Sequence, residues 1–191
     1  MTRPAWVEID LAALRHNTGL LRDVVGPDVA IMAVVKNDGF GCGAVAAGRT
    51  ALQGGADSLA VGNPEDARAI RDAGIKAPML LYASTLPEAA GSVAALDVIV
   101  TVHDMESLAA FAAVGQPLEV QFKVEAGLGR LGLNSEDWPG AFAAVQASNN
   151  LRLTGIYTHL NGADDPAGIK RQIAHFEQAY EAGRAAGFDD L

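Results

Sequence analysis

The segment "MAVVKNDGFGCG", residues 32–43, places one lysine, Lys36, directly after an apolar run rich in Val. Such a run favours a β-strand, so Lys36 is predicted to lie at the carboxyl end of an interior strand. An amine removed from water in this way has its charged form disfavoured, and the free amine can attack a carbonyl and form a Schiff base. The alternative is that the long side chain of Lys36 simply reaches solvent from the strand end.

A second group of reactive side chains also follows apolar runs. In "FKVEAGLGRLG", Lys123 and Arg130 are seven residues apart across a glycine-rich turn, while Tyr82 closes "PMLLY" and His159 closes "IYTH". The planar guanidinium of arginine suits a phenolate, a carboxylate or a phosphate. The alternatives are a surface salt bridge for Arg130 and a hydrogen-bonded core position for His159.

The elements that must position these side chains follow a regular alternation. After a helix that Asp10 is predicted to cap, short apolar runs alternate with Ala-rich helical segments, which is typical of βαβ units and a parallel sheet. The carboxyl ends of parallel strands meet on one face, where ligand sites form. The pattern does not decide between an open sheet and a barrel, because a complete barrel needs eight such units and roughly 250 residues. The predicted strands are "VAIMAVV", "SLAVG", "PMLLYA", "DVIVTV", "LEVQFKV" and "LRLTGIYTHL".

Composition excludes several classes of partner. The chain has 191 residues, 50% of them hydrophobic, which is enough for one large core. With 14 basic and 23 acidic residues the net charge is -9, which disfavours binding to nucleic acid or to an anionic membrane. No apolar run is long enough for a membrane span, and "MTRPAWVEID" is unlike a signal peptide, so a cytoplasmic location is predicted. The single cysteine, Cys42, has no neighbours at metal-ligand spacing, and no metal site is predicted.

Five segments follow one another along the chain: "WVEIDLAALRHN", "IMAVVKNDGFGCG", "SLAVGNPEDARAIRDAGIKAPMLL", "KVEAGLGRLG" and "GIYTHL". Together they resemble the barrel domain of the alanine racemase family, a fold-type III family that uses pyridoxal 5'-phosphate (PLP). The resemblance implies a parallel α/β fold of the (β/α) TIM-barrel type with about six of the eight units. It also implies that residues 1–191 are one PLP-binding domain, truncated relative to the family and without its C-terminal β domain.

The same resemblance implies a function and a role for each site residue. The expected reaction interconverts L- and D-alanine through a Cα carbanion, with PLP as electron sink. Lys36 would be the Schiff-base lysine and one of two bases. Arg130 would contact the phenolic oxygen of PLP, supported by Lys123, a position that is carbamylated in some family members. His159 would lie near the pyridine ring, and Tyr82 would line the pocket.

Four positions depart from the family pattern. Phe40 stands where the family usually has an aromatic hydroxyl that reaches the cofactor phosphate, and Cys42 stands where it has a histidine. The familiar "DTG" reads Glu125, Ala126, Gly127. A hydrogen bond to a charged group contributes about 1.5 to 3 kcal/mol, so weaker binding of the cofactor phosphate is expected with Phe40.

The resemblance also implies partners. In the family the second base, a tyrosine, comes from the region that follows this barrel part and acts in the partner subunit. A small amino-acid substrate and either a homodimer or a complementing chain are therefore expected, and the isolated chain should be a poor racemase. The alternatives are a non-racemising PLP-binding module or cofactor-handling protein, and another fold-type III enzyme such as an amino-acid decarboxylase or a D-threonine aldolase.

Overall fold

The computed structural model describes residues 5–191, which divide into two compact units, one ending at Leu81 and one spanning Tyr82–Leu191. The first unit contains three parallel strands, of which β2 is the middle one. Its residue Leu59 is opposite Ala33 on one side and Met79 on the other. Because β2 has a neighbour on both sides, all four of its residues are buried. The strands are β1 Met32–Val34, β2 Ser58–Val61 and β3 Met79–Leu81.

Two helices of the first unit begin at side-chain caps. The carboxylate of Asp10 accepts the backbone N–H of Ala13 at 3.0 Å, which confirms the predicted cap. The amide oxygen of Asn63 accepts the N–H of Asp66 at 2.7 Å in the same way. Each cap satisfies a backbone donor that the first helical turn leaves unpaired. The helices span Leu11–Val25, Ala44–Gln53 and Pro64–Asp72.

The second unit repeats this arrangement around β5. Val120 of β5 is opposite Val100 of β4 and Leu153 of β6, and both pairings are parallel. The register with β6 shifts between Val120 and Gln121. The strands are β4 Ile99–Val102, β5 Leu118–Lys123 and β6 Leu151–Tyr157, and the helices are Ala90–Ala94, Met105–Ala112, Trp138–Ala147 and Pro166–Ala185, the last named here the long helix.

Each unit buries its own apolar residues between strands and helices, as the sequence pattern predicts. The parallel α/β class and the six predicted strands are therefore confirmed. None of the helices that residues 5–191 form could span a lipid bilayer. The most buried large side chains are Leu59, Val61, Ile70, Met79 and Leu81 in the first unit, and Val93, Val100, Val102, Leu108, Phe111, Phe122 and Leu133 in the second.

Two predicted elements are present but differ from the prediction in length or burial. The run "VAIMAVV" gives only three strand residues, and Val34 of β1 is 47% exposed rather than buried on both faces. The reason is that β1 pairs only with β2 within the first unit. The segment "TLPEAAGSVAAL" is helical as predicted, but it begins as a 3₁₀ turn, Pro87–Ala89, and continues as a helix of only five residues, in which Gly91 weakens the helical backbone.

Arg22 is expected to be the most important polar side chain for stability in the first unit. Its guanidinium donates to the carbonyls of Gly26 at 2.8 Å, Val29 at 2.6 Å and Gly55 at 2.9 Å, and it pairs with Asp57. Replacing it with alanine leaves these acceptors without their donor, and we expect a loss of about 2 kcal/mol in the free energy of unfolding.

The measurement is urea unfolding of Arg22→Ala beside Arg15→Ala, which removes an exposed arginine from the same helix. The control should lie within about 0.5 kcal/mol of the wild type. Equal midpoints for the two variants would show that the Arg22 contacts contribute nothing measurable.

Candidate active site

Lys36 lies two residues beyond the carboxyl end of β1, as the sequence predicted, but β1 is partly exposed rather than interior. Val35, which precedes it, is buried and donates its N–H to the carbonyl of Ala60 on β2 at 2.8 Å. The Lys36 side chain is half-buried, and its ammonium nitrogen lies 5.5 Å from the ring centroid of Phe40. The aromatic ring therefore faces the amine, an arrangement in which the π-system attracts its positive charge.

Residues 36–41, named here the Lys36 turn, wind in the left-handed sense. Asn37, Asp38 and Phe40 have φ of 53°, 53° and 56°, and Gly39 and Gly41 have positive φ as well. Left-handed helical conformation costs roughly 1–2 kcal/mol for each residue with a side chain. Such strain persists only where surrounding contacts determine it, and it is concentrated at functional sites.

The contacts that hold the Lys36 turn include backbone bonds and two carboxylates, of which that of Asp66 accepts the N–H of Asp38 at 3.2 Å. Gly39 donates to the carbonyl of Val35 at 3.0 Å, and Gly43 donates to that of Asp38 at 2.8 Å. The Asp38 carboxylate accepts the N–H of Ala44 at 2.7 Å, at the start of the next helix. The glycine spacing in "NDGFGCG" is thus explained by backbone conformation.

Lys123, the last residue of β5, is 5% exposed, and its ammonium group donates to the carbonyl of Leu131. Burial lowers the pKa of Lys123, the positive charge of Arg130 lowers it further, and Glu125 opposes both. A buried lysine with a lowered pKa beside an arginine is an unusual pairing, because two cations share one small region. The structure therefore brings together Lys123 and Arg130, as their spacing suggested.

Arg130 is carried by a closed loop, residues 125–133, named here the Arg130 loop. Leu133 donates to the carbonyl of Lys123 at 2.8 Å, and Glu125 donates to that of Leu133 at 3.1 Å, so the two ends of the loop are joined. The Arg130 side chain is exposed. A fixed loop base with an exposed guanidinium is suited to binding an anionic group.

Tyr82 begins the second unit and is held by Tyr157 at the end of β6. The hydroxyl of Tyr157 donates to the backbone carbonyl of Tyr82 at 3.2 Å and lies 2.8 Å from the hydroxyl of Thr101 on β4. Burial raises the pKa of Tyr157 to about 12; the bond with Thr101 acts to lower it, and Tyr82 acts to raise it. The phenol is therefore neutral at physiological pH.

His159 lies two residues beyond β6 in an exposed segment, residues 158–162, named here the His159 segment. Thr158 donates its hydroxyl to the carbonyl of Val124 at 2.8 Å, which fixes the start of this segment beside the end of β5. The exposed imidazole does not match the alternative of a core histidine. Tyr82, Lys123, Arg130 and His159 thus all belong to the second unit, although Tyr82 directly follows β3 of the first, and Lys36 and Phe40 belong to the first unit.

Two residues of this region were not predicted from the sequence. Tyr157 depends on Thr101, 56 residues away in the chain, so no local pattern could indicate it. Glu125 accepts hydrogen bonds from several backbone N–H groups of the Arg130 loop. The sequence signal for this role was a carboxylate followed closely by glycines, in "EAGLG".

Tyr157→Phe is expected to destabilise the chain by about 1 kcal/mol, because it removes the hydroxyl that contacts Thr101 and Tyr82. Since the folded pKa is raised, the contribution of this phenol is present below pH 10 and is lost as the pH rises from about 10 towards 12. An ultraviolet titration should show one tyrosine that ionises near pH 12, absent from Tyr157→Phe and retained in Tyr180→Phe. Identical titration curves for Tyr157→Phe and Tyr180→Phe at the high-pH end would contradict the contact.

Comparison with known proteins identifies a family. The model of "Alanine racemase, N-terminal domain" matches residues 9–191. An alanine racemase of Desulforamulus reducens is 41% identical over 170 residues, which are 86% of this chain and 46% of that protein. An alanine racemase of Synechocystis sp. is 40% identical over 192 residues, covering 95% of this chain and 51% of the relative.

Solved structures show the same likeness. The alanine racemase of Bacillus anthracis, solved with bound L-Ala-P, superposes on this chain with a TM-score of 0.92 at 28% sequence identity. The match covers 100% of this chain and 51% of the Bacillus anthracis chain. The predicted fold class, a parallel α/β fold of the TIM-barrel type, is therefore confirmed. This chain spans about half the length of the relatives that it matches.

Proposed function

The chain belongs to the alanine racemase family, and from this premise we propose that it supplies the cofactor-holding part of a PLP-dependent racemase that interconverts L- and D-alanine. PLP is the cofactor of this family. The observation that carries the proposal is the position of Lys36, a half-buried amine in a strained left-handed turn at the end of β1. Strain of this kind is retained where function requires it.

The chemistry of the side chains fits PLP. The cofactor offers an aldehyde, an anionic phenolic oxygen, a phosphate and an aromatic ring. Lys36 offers a primary amine for the aldehyde, and Arg130 offers a permanent cation for the phenolic oxygen. His159 and Tyr82 offer an imidazole and a phenol for the ring and the pocket wall. Phe40 offers no hydroxyl for the phosphate, so we expect that group to be bound less tightly.

When bound, PLP withdraws electrons from the substrate Cα and so weakens its C–H bond. We propose that Lys36 Nζ both holds the cofactor and moves a proton at Cα, as one of two bases. Arg130, kept in place by its closed loop, would hold the phenolic oxygen by charge. Lys123 would support Arg130 from its buried position, where its ammonium group donates to the carbonyl of Leu131 in the same loop.

The source of the second base, the partner of this chain and its location in the cell are also proposed from the family. We propose that another part of the functional protein supplies the second base, either in a homodimer or from a complementing chain, and that residues 1–191 act as one PLP-binding domain. The relatives are named alanine racemases, which does not favour a non-racemising PLP-binding module or another fold-type III enzyme. A cytoplasmic location stays a prediction, testable by fractionation of expressing cells.

The experiment follows exchange of the Cα proton. L-alanine and D-alanine are incubated in deuterated water with PLP and the 191-residue chain, and the loss of the Cα–H signal is recorded by NMR. The same samples receive the separately expressed C-terminal half of the Synechocystis relative. We expect slow exchange for the chain alone and faster exchange of both enantiomers once the second half is present.

Retention of PLP with no exchange under either condition would favour the non-racemising module. Exchange that is equally fast without PLP would contradict the proposal, since the electron sink would then be unnecessary.

A further inference from the structure

One carboxylate lies at the centre of the Arg130 loop. Glu125 accepts the backbone N–H groups of Gly127 at 2.5 Å, Gly129 at 2.9 Å and Arg130 at 3.0 Å. Bonds from several donors to one ionised acceptor are stronger than neutral ones and fix the local backbone. Because the third donor is the amide of Arg130 itself, Glu125 determines the backbone position from which the guanidinium extends.

The electrostatics of Glu125 agree with this geometry. Burial acts to raise the pKa of Glu125, but the N–H groups of Gly129, Gly127 and Arg130 lower it, and the net pKa is below the usual value. The Glu125 carboxylate is therefore ionised at neutral pH and accepts these backbone N–H groups in its charged form.

The long helix fixes the His159 segment against the same loop through one side chain. The amide oxygen of Gln172 accepts the N–H of Asn161 at 2.9 Å, and its amide nitrogen donates to the carbonyl of Asn161 at 2.7 Å. The stem of Gln172 also packs on the Arg130 loop, since a Cβ placed on Gly127 would be 3.3 Å from its Cγ. Gln172 thus contacts both segments that carry the proposed cofactor-binding side chains.

We propose that Glu125 and Gln172 are positioning residues for PLP: Glu125 fixes the backbone that carries Arg130, and Gln172 sets that loop against the segment that carries His159. The inference rests on the proposed function, in which Arg130 and His159 contact the cofactor. Neither positioning residue needs to touch PLP, because each acts through the backbone of a residue that does.

The test of Glu125 uses the 191-residue chain with two readouts. Amide exchange of Gly127, Gly129 and Arg130 is measured by NMR without PLP, and the dissociation constant of PLP is measured by absorbance titration. The variants are Glu125→Gln, which removes the charge and keeps the size, Glu125→Asp, which keeps the charge, and Glu136→Gln, which removes an exposed charge nearby.

We expect Glu125→Gln to speed exchange of the three amides about tenfold and to weaken PLP binding about tenfold, with Glu125→Asp largely rescuing both and Glu136→Gln matching the wild type. In an Arg130→Ala background the same substitution should change PLP binding less than about twofold, because a positioning residue acts only through its target.

The possible outcomes distinguish the proposed function from the positioning role of Glu125. Failure of the wild-type chain to bind PLP would overturn the proposed function and this inference with it. Binding by the wild type with unchanged amide exchange in Glu125→Gln, or equal weakening with and without Arg130, would overturn this inference alone.

Gln172 is tested in the same way. Gln172→Ala should speed amide exchange of Asn161 and raise the dissociation constant of PLP several-fold. Gln178→Ala, an exposed glutamine on the same helix, should behave as the wild type. Identical affinities for the two variants would remove Gln172 from the proposal.

Discussion

Lys36→Ala is expected to leave the chain folded and to abolish the visible absorbance that PLP acquires when a lysine amine binds it covalently. The side chain is half-buried and packs over the ring of Phe40, so its loss creates little cavity and should change the free energy of unfolding by less than about 1 kcal/mol. Non-covalent contacts would remain, so we expect PLP affinity to fall at least tenfold rather than to vanish.

The measurement is an absorbance titration with PLP, with far-ultraviolet circular dichroism as the check on folding. Lys76→Ala removes an exposed lysine of the first unit and is the matched control. A visible band of equal intensity in wild type and Lys36→Ala would assign the cofactor to another amine.

Gly132→Ala is expected to give the largest loss of stability, about 3 kcal/mol or more, and to disrupt the Arg130 loop. Gly132 has φ of 153°, and a Cβ there would be 2.7 Å from the carbonyl carbon of Val124 and closer still to the backbone nitrogen of Glu125. Backbone atoms cannot move aside as a flexible side chain can, so the loop closure between Lys123 and Leu133 must open.

Gly129→Ala is the control within the same loop. Gly129 has φ of 71° but no atom within 4 Å of an added Cβ, so only the left-handed backbone is penalised, by about 1 kcal/mol. Urea unfolding of both variants separates the two effects. If Gly129→Ala is as destabilising as Gly132→Ala, steric contact with the backbone of Val124 and Glu125 is not the cause.

The features that the sequence could predict are those that depend on local pattern. Apolar runs and Ala-rich segments predicted the six strands, and Asp10 was recognisable as a cap because it immediately precedes an amphipathic helix. Lys36 was recognisable because a charge directly after a Val-rich run is unusual. Each of these signals lies within a few residues of the feature that it predicts.

The features that the sequence could not predict depend on contacts between distant residues. The left-handed Lys36 turn depends on Ala60 and Asp66, which accept the N–H groups of Val35 and Asp38, while its glycine spacing alone is compatible with several kinds of turn. The role of Glu125 requires the loop to close first, through backbone bonds between Lys123 and Leu133. Turn residues indicate that the chain bends, but long-range bonds determine how it bends.

The central claim is that Lys36 is the residue that holds PLP, and borohydride reduction tests it most directly. Reduction makes the link between the cofactor and a lysine permanent, and digestion followed by mass spectrometry identifies the labelled peptide. The chain contains Lys76, Lys123 and Lys170 as internal competitors. We predict that the pyridoxyl label is found on Lys36; a label on one of the other three lysines, or no label at saturating PLP, would contradict the account.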